Sequence, residues 1–447
     1  MLTIHGRPNR FCDGVSRRGF LKIGALGVGA GALTLSDIFR AEALAGGPSR
    51  HKAVINIFLG GGPPHQDMWD IKTEAPAEIR GEFQPISTSV PGIQIGEVFQ
   101  QIAGMMHKFA VIRSVVGSTG HHDAYQSMTG WNHESLATLG GRPSIGSVLA
   151  RLKGPVDPSV PPFVGLAART DHRPWSDVGK PGFLGAAYSA FKPDGPGMEN
   201  MKLNGITLDR LSDRRALLAS FDNFRSELDA SGAMKGVDAF GQRALDVLTS
   251  SKLLDALDLS KEDPKVVQRY GDGKPYKFQY DGAPTVNDQL LLARRLVGVG
   301  VRCVTLSYGR WDSHGDNFNL VRDHGAKLDQ GLTALVEDLE AHDMLDDVTV
   351  IAWGEFGRTP RINNGAGRDH WPQVSCAILA GGGMRTGQAI GSTNRLGEHA
   401  QDRPVHFQEI FATLYKNLGL DPGVTTIVDA SGRPQYLVER DPIPELG

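Results

Sequence analysis

The chain has 447 residues, with 47 Lys and Arg against 50 Asp and Glu and a formal net charge of −3. So even a balance excludes the broad basic surface of a nucleic-acid binder or an anionic-membrane binder. Hydrophobic residues at 40% and charged residues at 22% suit a soluble globular chain, long enough for one large α/β domain or two smaller ones.

Near the start, Ser16-Arg17-Arg18-Gly19-Phe20-Leu21-Lys22 has the form of a twin-arginine export signal. A Gly/Ala-rich apolar stretch follows, from Ile23 to Leu35, and Ala43-Leu44-Ala45 offers a small-x-small cleavage site. The stretch is too short to span a bilayer. Residues 1–45 are therefore expected to be a removable leader, and 46–447 the exported domain. Export implies the periplasm or the extracellular space, with no membrane span in the mature chain. The twin-arginine route carries folded proteins, which suits a metal site loaded beforehand.

Ala53 to Leu59 is an apolar run closed by Gly60-Gly61-Gly62-Pro63-Pro64, and reads as a buried strand entering a loop. Phe109 to Val115, Val301 to Ser307, Val348 to Trp353 and Val374 to Ala380 read the same way. Helical spacing marks Asp288 to Val297, Asp329 to His342 and His406 to Leu418. Alternation of near-continuous apolar strands with helices predicts a three-layer α/β/α sandwich around a mainly parallel sheet. Residues 150–290 are loop-rich, then polar and helix-prone, and are expected to form an insertion or cap. Cys12 leaves with the leader. Cys303 and Cys376 lie inside apolar runs, so buried free thiols are expected and no disulfide framework is.

In such sheets, ligands bind beyond the carboxyl ends of the strands. Four polar motifs follow strands here. His65, Asp67 and Asp70 follow the first. Ser118, Thr119, His121, His122 and Asp123 follow the second. Trp311-Asp312-Ser313-His314 follows the third, and Trp353-Gly354-Glu355-Phe356-Gly357-Arg358-Thr359-Pro360 leaves the fourth. Gly367-Arg368-Asp369-His370-Trp371-Pro372 comes soon after. Asp312 and His314 alternate along an extended segment and so share one face. Glu355 leaves a buried strand, a costly place for a carboxylate unless it is paired or metal-bound. A salt bridge to Arg358 or Arg361 is the structural alternative.

His65, Asp67, Asp312, His314, Glu355 and His370 form the candidate ligand set for a divalent metal. Mixed imidazole and carboxylate donors favour Zn²⁺ first, with Mn²⁺, Ca²⁺ and Mg²⁺ open. Arg358 is a candidate oxyanion clamp. Thr119 or Ser118 is a candidate nucleophile, and His121 or His122 a candidate acid/base. The plainer alternatives are a hydrogen-bonded structural His370 and solvated His121 and His122.

From Lys52 to about Gly419 the chain resembles a family of twin-arginine-exported bacterial proteins in the alkaline phosphatase and sulfatase superfamily. The carrying residues are Gly61-Gly62 with His65, Asp67 and Asp70, then Met128-Thr129-Gly130, Trp311 to His314, Gly354 to Pro360, and Arg368 to Pro372. The resemblance implies an alkaline-phosphatase-like fold and metal-dependent hydrolysis of phosphate or sulfate esters. A small-molecule or glycan ester is the implied substrate. One departure matters. Superfamily sulfatases carry Cys/Ser-x-Pro-x-Arg before a Thr-Gly such as Thr129-Gly130, and here that slot falls near Gly120. A formylglycine sulfatase is not expected, and water activated by the metal is an alternative nucleophile. A non-catalytic exported binding protein is the second functional class. The oligomeric state is not legible.

Overall fold

Valine- and isoleucine-rich runs become the central strands of this protein, seen in a computed structural model that describes residues 51–167, 170, 173–193, 250–272 and 282–447. The leader at 1–45 and the helix-prone stretch 208–249 lie outside the described residues. Residues His51–Gly447 form one compact unit.

Among the described residues, eight strands make the main sheet. They are β1 (Ala53–Phe58), β2 (Phe109–Val116), β3 (Phe163–Gly165), β4 (Cys303–Ser307), β5 (Val348–Trp353), β6 (Ser375–Gly381), β7 (Gln388–Ile390) and β8 (Val405–His406). Their order is β7-β2-β6-β5-β1-β4-β3, with β8 also pairing with β2. β1 pairs in parallel with β4 and β5, and β3 with β4, while β7 and β8 run parallel to β2. Only β6 runs against its neighbours, β2 and β5. The sheet is thus mainly parallel, and β1 to β5 all end on the same rim.

Helices cover both faces because alternate strand residues point to opposite sides. Ile55 and Ile57 of β1 share a core with Leu290 and Leu291 of α2 (Asn287–Gly298) and with Leu328, Leu332 and Leu335 of α3 (Asn317–Ala341). Val54, the residue before Ile55, faces the opposite core. There it joins Ile145 and Leu149 of α1 (Ile145–Leu152) and Phe407, Ile410 and Phe411 of α4 (Phe407–Asn417). This is the three-layer α/β/α arrangement. Cys303 and Cys376 are free and buried.

α4 starts at a reciprocal cap. The His406 ring accepts from the Gln408 N–H, and Glu409 accepts from the His406 N–H. α3 starts twelve residues before the helix read from the sequence, at Asn317. Within 150–290, Phe163–Gly165 joins the central sheet, and helices Ser251–Leu257 and Pro264–Tyr270 pack on α2 and α3. That stretch therefore contributes to the main layers as well as to loops. No helix among the described residues is long and apolar enough to cross a membrane.

Candidate metal centre

The segments that leave β1, β2, β3, β4 and β5 meet beyond the carboxyl rim of the sheet, where this class of fold binds ligands. Asp312 and His314 follow β4 and meet each other, with His314 Nε2 3.1 Å from Asp312 Oδ1. The segment after β2 brings His122 Nε2 to 3.3 Å from that oxygen. The segment after β5 brings His370 Nε2 to 3.3 Å as well. His314 Nε2 and His370 Nε2 are themselves 3.1 Å apart. One ligand atom from each of His122, Asp312, His314 and His370 lies within 4.8 Å of the others. A carboxylate oxygen has two lone pairs and cannot satisfy three imidazole nitrogens and a guanidinium together. The crowding suits four donors arranged around a cation.

The far side of each of two rings is fixed by a carboxylate. His122 Nδ1 lies 3.2 Å from Glu355 Oε1, and His314 Nδ1 lies 2.6 Å from Asp369 Oδ1. Such outer carboxylates set the tautomer that turns Nε2 towards a metal. Burial works against a charge on His122, but hydrogen bonds to Asp312 and Glu355 outweigh it and raise its pKa to about 9. Burial likewise works against charge on Asp312. Hydrogen bonds from His122 and His370, and the Arg358 guanidinium, hold its carboxyl far below the usual carboxylate range. Phe356 packs on His370 at 4.5 Å between ring centroids, and Trp175 packs on His122 at 5.1 Å.

Glycine is required at two points. Gly61 has φ +105°, and a Cβ there would sit 2.5 Å from the Asp312 N. The close approach lets the Gly61 N–H donate to both Glu355 oxygens, at 2.8 and 3.1 Å. At Gly367 a Cβ would lie 2.1 Å from the His314 carbonyl oxygen. Crossing there brings the Asp369-His370 pair up to His314.

Several sequence expectations are redirected. Glu355 stands behind His122 as its orienting carboxylate and is not one of the four grouped donors. His122, expected as an acid/base, stands among those donors. Asp67 is wholly buried and taken by Arg368. Arg368 Nε reaches Asp67 Oδ2 at 2.6 Å and its Nη2 reaches Oδ1 at 2.9 Å, while Asn317 donates to Oδ2 at 2.8 Å. His65 is also buried, with Nε2 at 3.1 Å from the Gly397 carbonyl, and burial lowers its pKa to about 4. Neither joins the four.

Arg358 is fully buried. It donates to the Gly62 and Arg368 carbonyls at 3.1 and 3.0 Å, to the Gly61 carbonyl and to Asp312 Oδ1. With its donors spent on protein, it positions Asp312 and does not offer an open clamp. Arg310, which carries no motif in the sequence, lies at the group's edge with Nη2 3.4 Å from Asp312 Oδ2. Ser118 Oγ donates to the Glu355 carbonyl at 2.7 Å. The side chains of Thr119 and His121 are exposed, and no hydrogen bond joins them to the four grouped residues.

Asp369 and Trp175 also belong to the site without having been expected there. Asp369 is visible beside His370 in the sequence, but its bond to His314 spans 55 residues. Trp175 carries no local signal, because its place depends on the strand before it joining the rim.

Solved structures similar to this chain at low identity include the following three. Ps i-CgsB in complex with k-i-k-neocarrahexaose is 10% identical with a TM-score of 0.35, over 83% of this chain and 72% of that one. The lipoteichoic acid synthase LtaP from Listeria monocytogenes is 10% identical with a TM-score of 0.35, over 84% and 74%. The PsFucS1 sulfatase from Pseudoalteromonas sp. is 11% identical with a TM-score of 0.32, over 88% and 72%. No curated protein matches the sequence. A family model matches residues 51–446, and the chain belongs to that family, described as "Protein of unknown function (DUF1501)".

Proposed function

We propose that this protein is an exported, metal-dependent hydrolase of phosphate or sulfate esters with an alkaline-phosphatase-like fold. The observation that carries the reading is the convergence of three imidazole Nε2 atoms and one carboxylate oxygen, two of the rings being oriented by further carboxylates. His122, Asp312, His314 and His370 would hold the ion. Three nitrogen donors and one carboxylate favour Zn²⁺ or Mn²⁺ over ions that prefer all-oxygen sites. A divalent ion supplies Lewis-acid polarisation of an ester oxygen when bound.

The chain's own residues do the rest. Asp312 brings negative charge to the centre, and Arg358 fixes its carboxylate. Glu355 and Asp369 keep two Nε2 atoms turned inwards. Phe356 and Trp175 shield the rings of His370 and His122 from water. Thr119 or a water molecule is the proposed nucleophile, with His121 accepting its proton. Both side chains stand exposed on the segment that carries His122. The Ser16-Arg17-Arg18 motif supports export by the twin-arginine route to the periplasm or beyond.

Turnover of aryl phosphates and aryl sulfates, assayed with added Zn²⁺ or Mn²⁺, tests the hydrolase reading. Metal-dependent release of the phenol is expected. Loss of turnover in the Thr119→Ala variant at unchanged metal content would identify a covalent route. The departure from Cys/Ser-x-Pro-x-Arg before Thr129-Gly130 supports one other reading, an exported metal-binding protein without catalysis. Stoichiometric metal with no turnover of either ester class would select it.

A further inference from the structure

A metal ion meets only part of what a tetrahedral oxyanion needs. One oxygen can sit on the ion, and the others must find N–H donors or water. Arg358 cannot supply them, because it is fully buried and its donors are spent on three carbonyls and Asp312 Oδ1. Arg310 is a second guanidinium at the centre, placed differently. Its Nη2 lies 3.4 Å from the other oxygen of the same carboxylate, Asp312 Oδ2, and its side chain is 13% exposed, so solvent and ligands reach it. A strong charge-assisted bond measures about 2.7–2.9 Å, so this contact is weak. Five N–H donors in a planar fork let one guanidinium serve a carboxylate and an oxyanion together.

The main chain beneath Arg310 is held. Its N–H donates to His324 Nε2 at 3.3 Å, and the Trp311 N–H donates to the Gly60 carbonyl at 2.8 Å. The start of the side chain packs on Gly282, where an added Cβ would lie 2.6 Å from the Arg310 Cβ. Asp312 links guanidinium and centre directly. Oδ1 meets the three imidazole Nε2 atoms, and Oδ2 meets Arg310. One carboxylate group and one 3.4 Å contact thus separate the donor group from Nη2, a gap that an anion with several oxygens can bridge. The charges agree. Among the described residues the carboxylates at the centre are Asp312, Glu355 and Asp369. With a divalent ion and the two arginines, four positive charges face these three negative ones, since imidazoles that bind a metal are neutral. The loaded centre therefore attracts an anion.

We propose that Arg310 binds the anionic oxygens of the group held at the metal. Metal and guanidinium together would then select phosphate or sulfate esters over carboxylic esters, which offer the ion a carbonyl oxygen but offer the guanidinium no anion. The inference deepens the hydrolase reading and rests on it for turnover, but not for binding. Inorganic phosphate is the probe, titrated calorimetrically into the Zn²⁺-loaded full chain after the zinc content of each protein has been measured. Arg310→Met is expected to weaken phosphate binding roughly tenfold or more at equal zinc occupancy. Arg310→Lys, which keeps the charge without the fork, should weaken it less. Equal phosphate affinity in wild type and Arg310→Met at equal occupancy would overturn the proposal. So would a variant that loses zinc but, once reloaded, binds phosphate as the wild type does, because Arg310 would then only position Asp312. In the wild type itself, phosphate should slow modification of Arg310 by phenylglyoxal, read by peptide mass spectrometry. Unchanged modification would overturn the proposal whether or not the variants fold. Phosphate bound through Arg310 without turnover of aryl phosphates or sulfates would remove the hydrolase reading and leave the anion site standing. Aryl phosphate turnover with kcat and KM unchanged in Arg310→Met would do the reverse.

Discussion

Replacing Arg368 by Ala is expected to destabilise the folded chain by about 3–5 kcal/mol. Arg368 and Asp67 are both wholly buried and meet through two hydrogen bonds, at 2.6 and 2.9 Å. Arg368 also donates to the Thr359 and Ile79 carbonyls at 3.1 and 2.9 Å and to the Pro360 carbonyl. Truncation leaves a buried carboxylate with only Asn317, and three carbonyls without this donor. The cost falls on the loop that presents Asp369 and His370. Removing both charges, in Asp67→Leu/Arg368→Met, should cost much less than Arg368→Ala alone, since no uncompensated ion remains. Denaturant unfolding of the single and double variants checks this. A loss below about 1 kcal/mol for Arg368→Ala would show that the pair is not the anchor described here.

Stability should also fall steeply between pH 6.5 and 4, before most carboxylates titrate. Burial lowers the pKa of both His65 and His324 from 6.5 to about 4. The unfolded chain therefore binds protons at these rings where the folded chain does not. Their contribution is complete above the unfolded value of 6.5 and is lost as pH falls to the folded value near 4. Each ring can account for roughly 3 kcal/mol, because a tenfold change in proton affinity corresponds to about 1.4 kcal/mol. The surroundings explain why both rings stay neutral. His65 has only the Gly397 carbonyl at 3.1 Å, and Nε2 of His324 receives the Arg310 N–H at 3.3 Å. Ring titration by NMR gives the direct reading. Neither ring should gain a proton above about pH 5, and a midpoint near 6.5 for either would contradict the account.

The strands were legible where burial on both faces leaves no polar gap. β1 and β5 read directly as Ala53 to Leu59 and Val348 to Trp353, within one residue of the strands found. The direction of β6 was not legible, because an apolar run looks the same in either sense. The first half of α3 was hidden by Asn317 and His324. Both are polar yet buried, and Asn317 donates to Asp67, 250 residues away in sequence. The same limit governs the site. Asp312 and His314 could be grouped from their spacing, two residues apart. Asp67 reads as a free carboxylate after a strand until Arg368 is placed beside it, 301 residues on. Glu355 stands behind His122, and His122 stands among the grouped donors, because which of them faces the centre depends on how the β2 and β5 segments pass each other. Sequence spacing carries no record of that.

Metal content is the most direct test of the central claim. The full chain, purified without chelator, is compared with the His314→Ala/His370→Ala variant by elemental analysis, with folding checked by circular dichroism. Stoichiometric Zn²⁺ or Mn²⁺ in the wild type, and its loss from a variant that remains folded, is the predicted result. Wild type without bound metal after incubation with either ion, or equal metal in both proteins, would contradict the assignment of His122, Asp312, His314 and His370 as the metal centre.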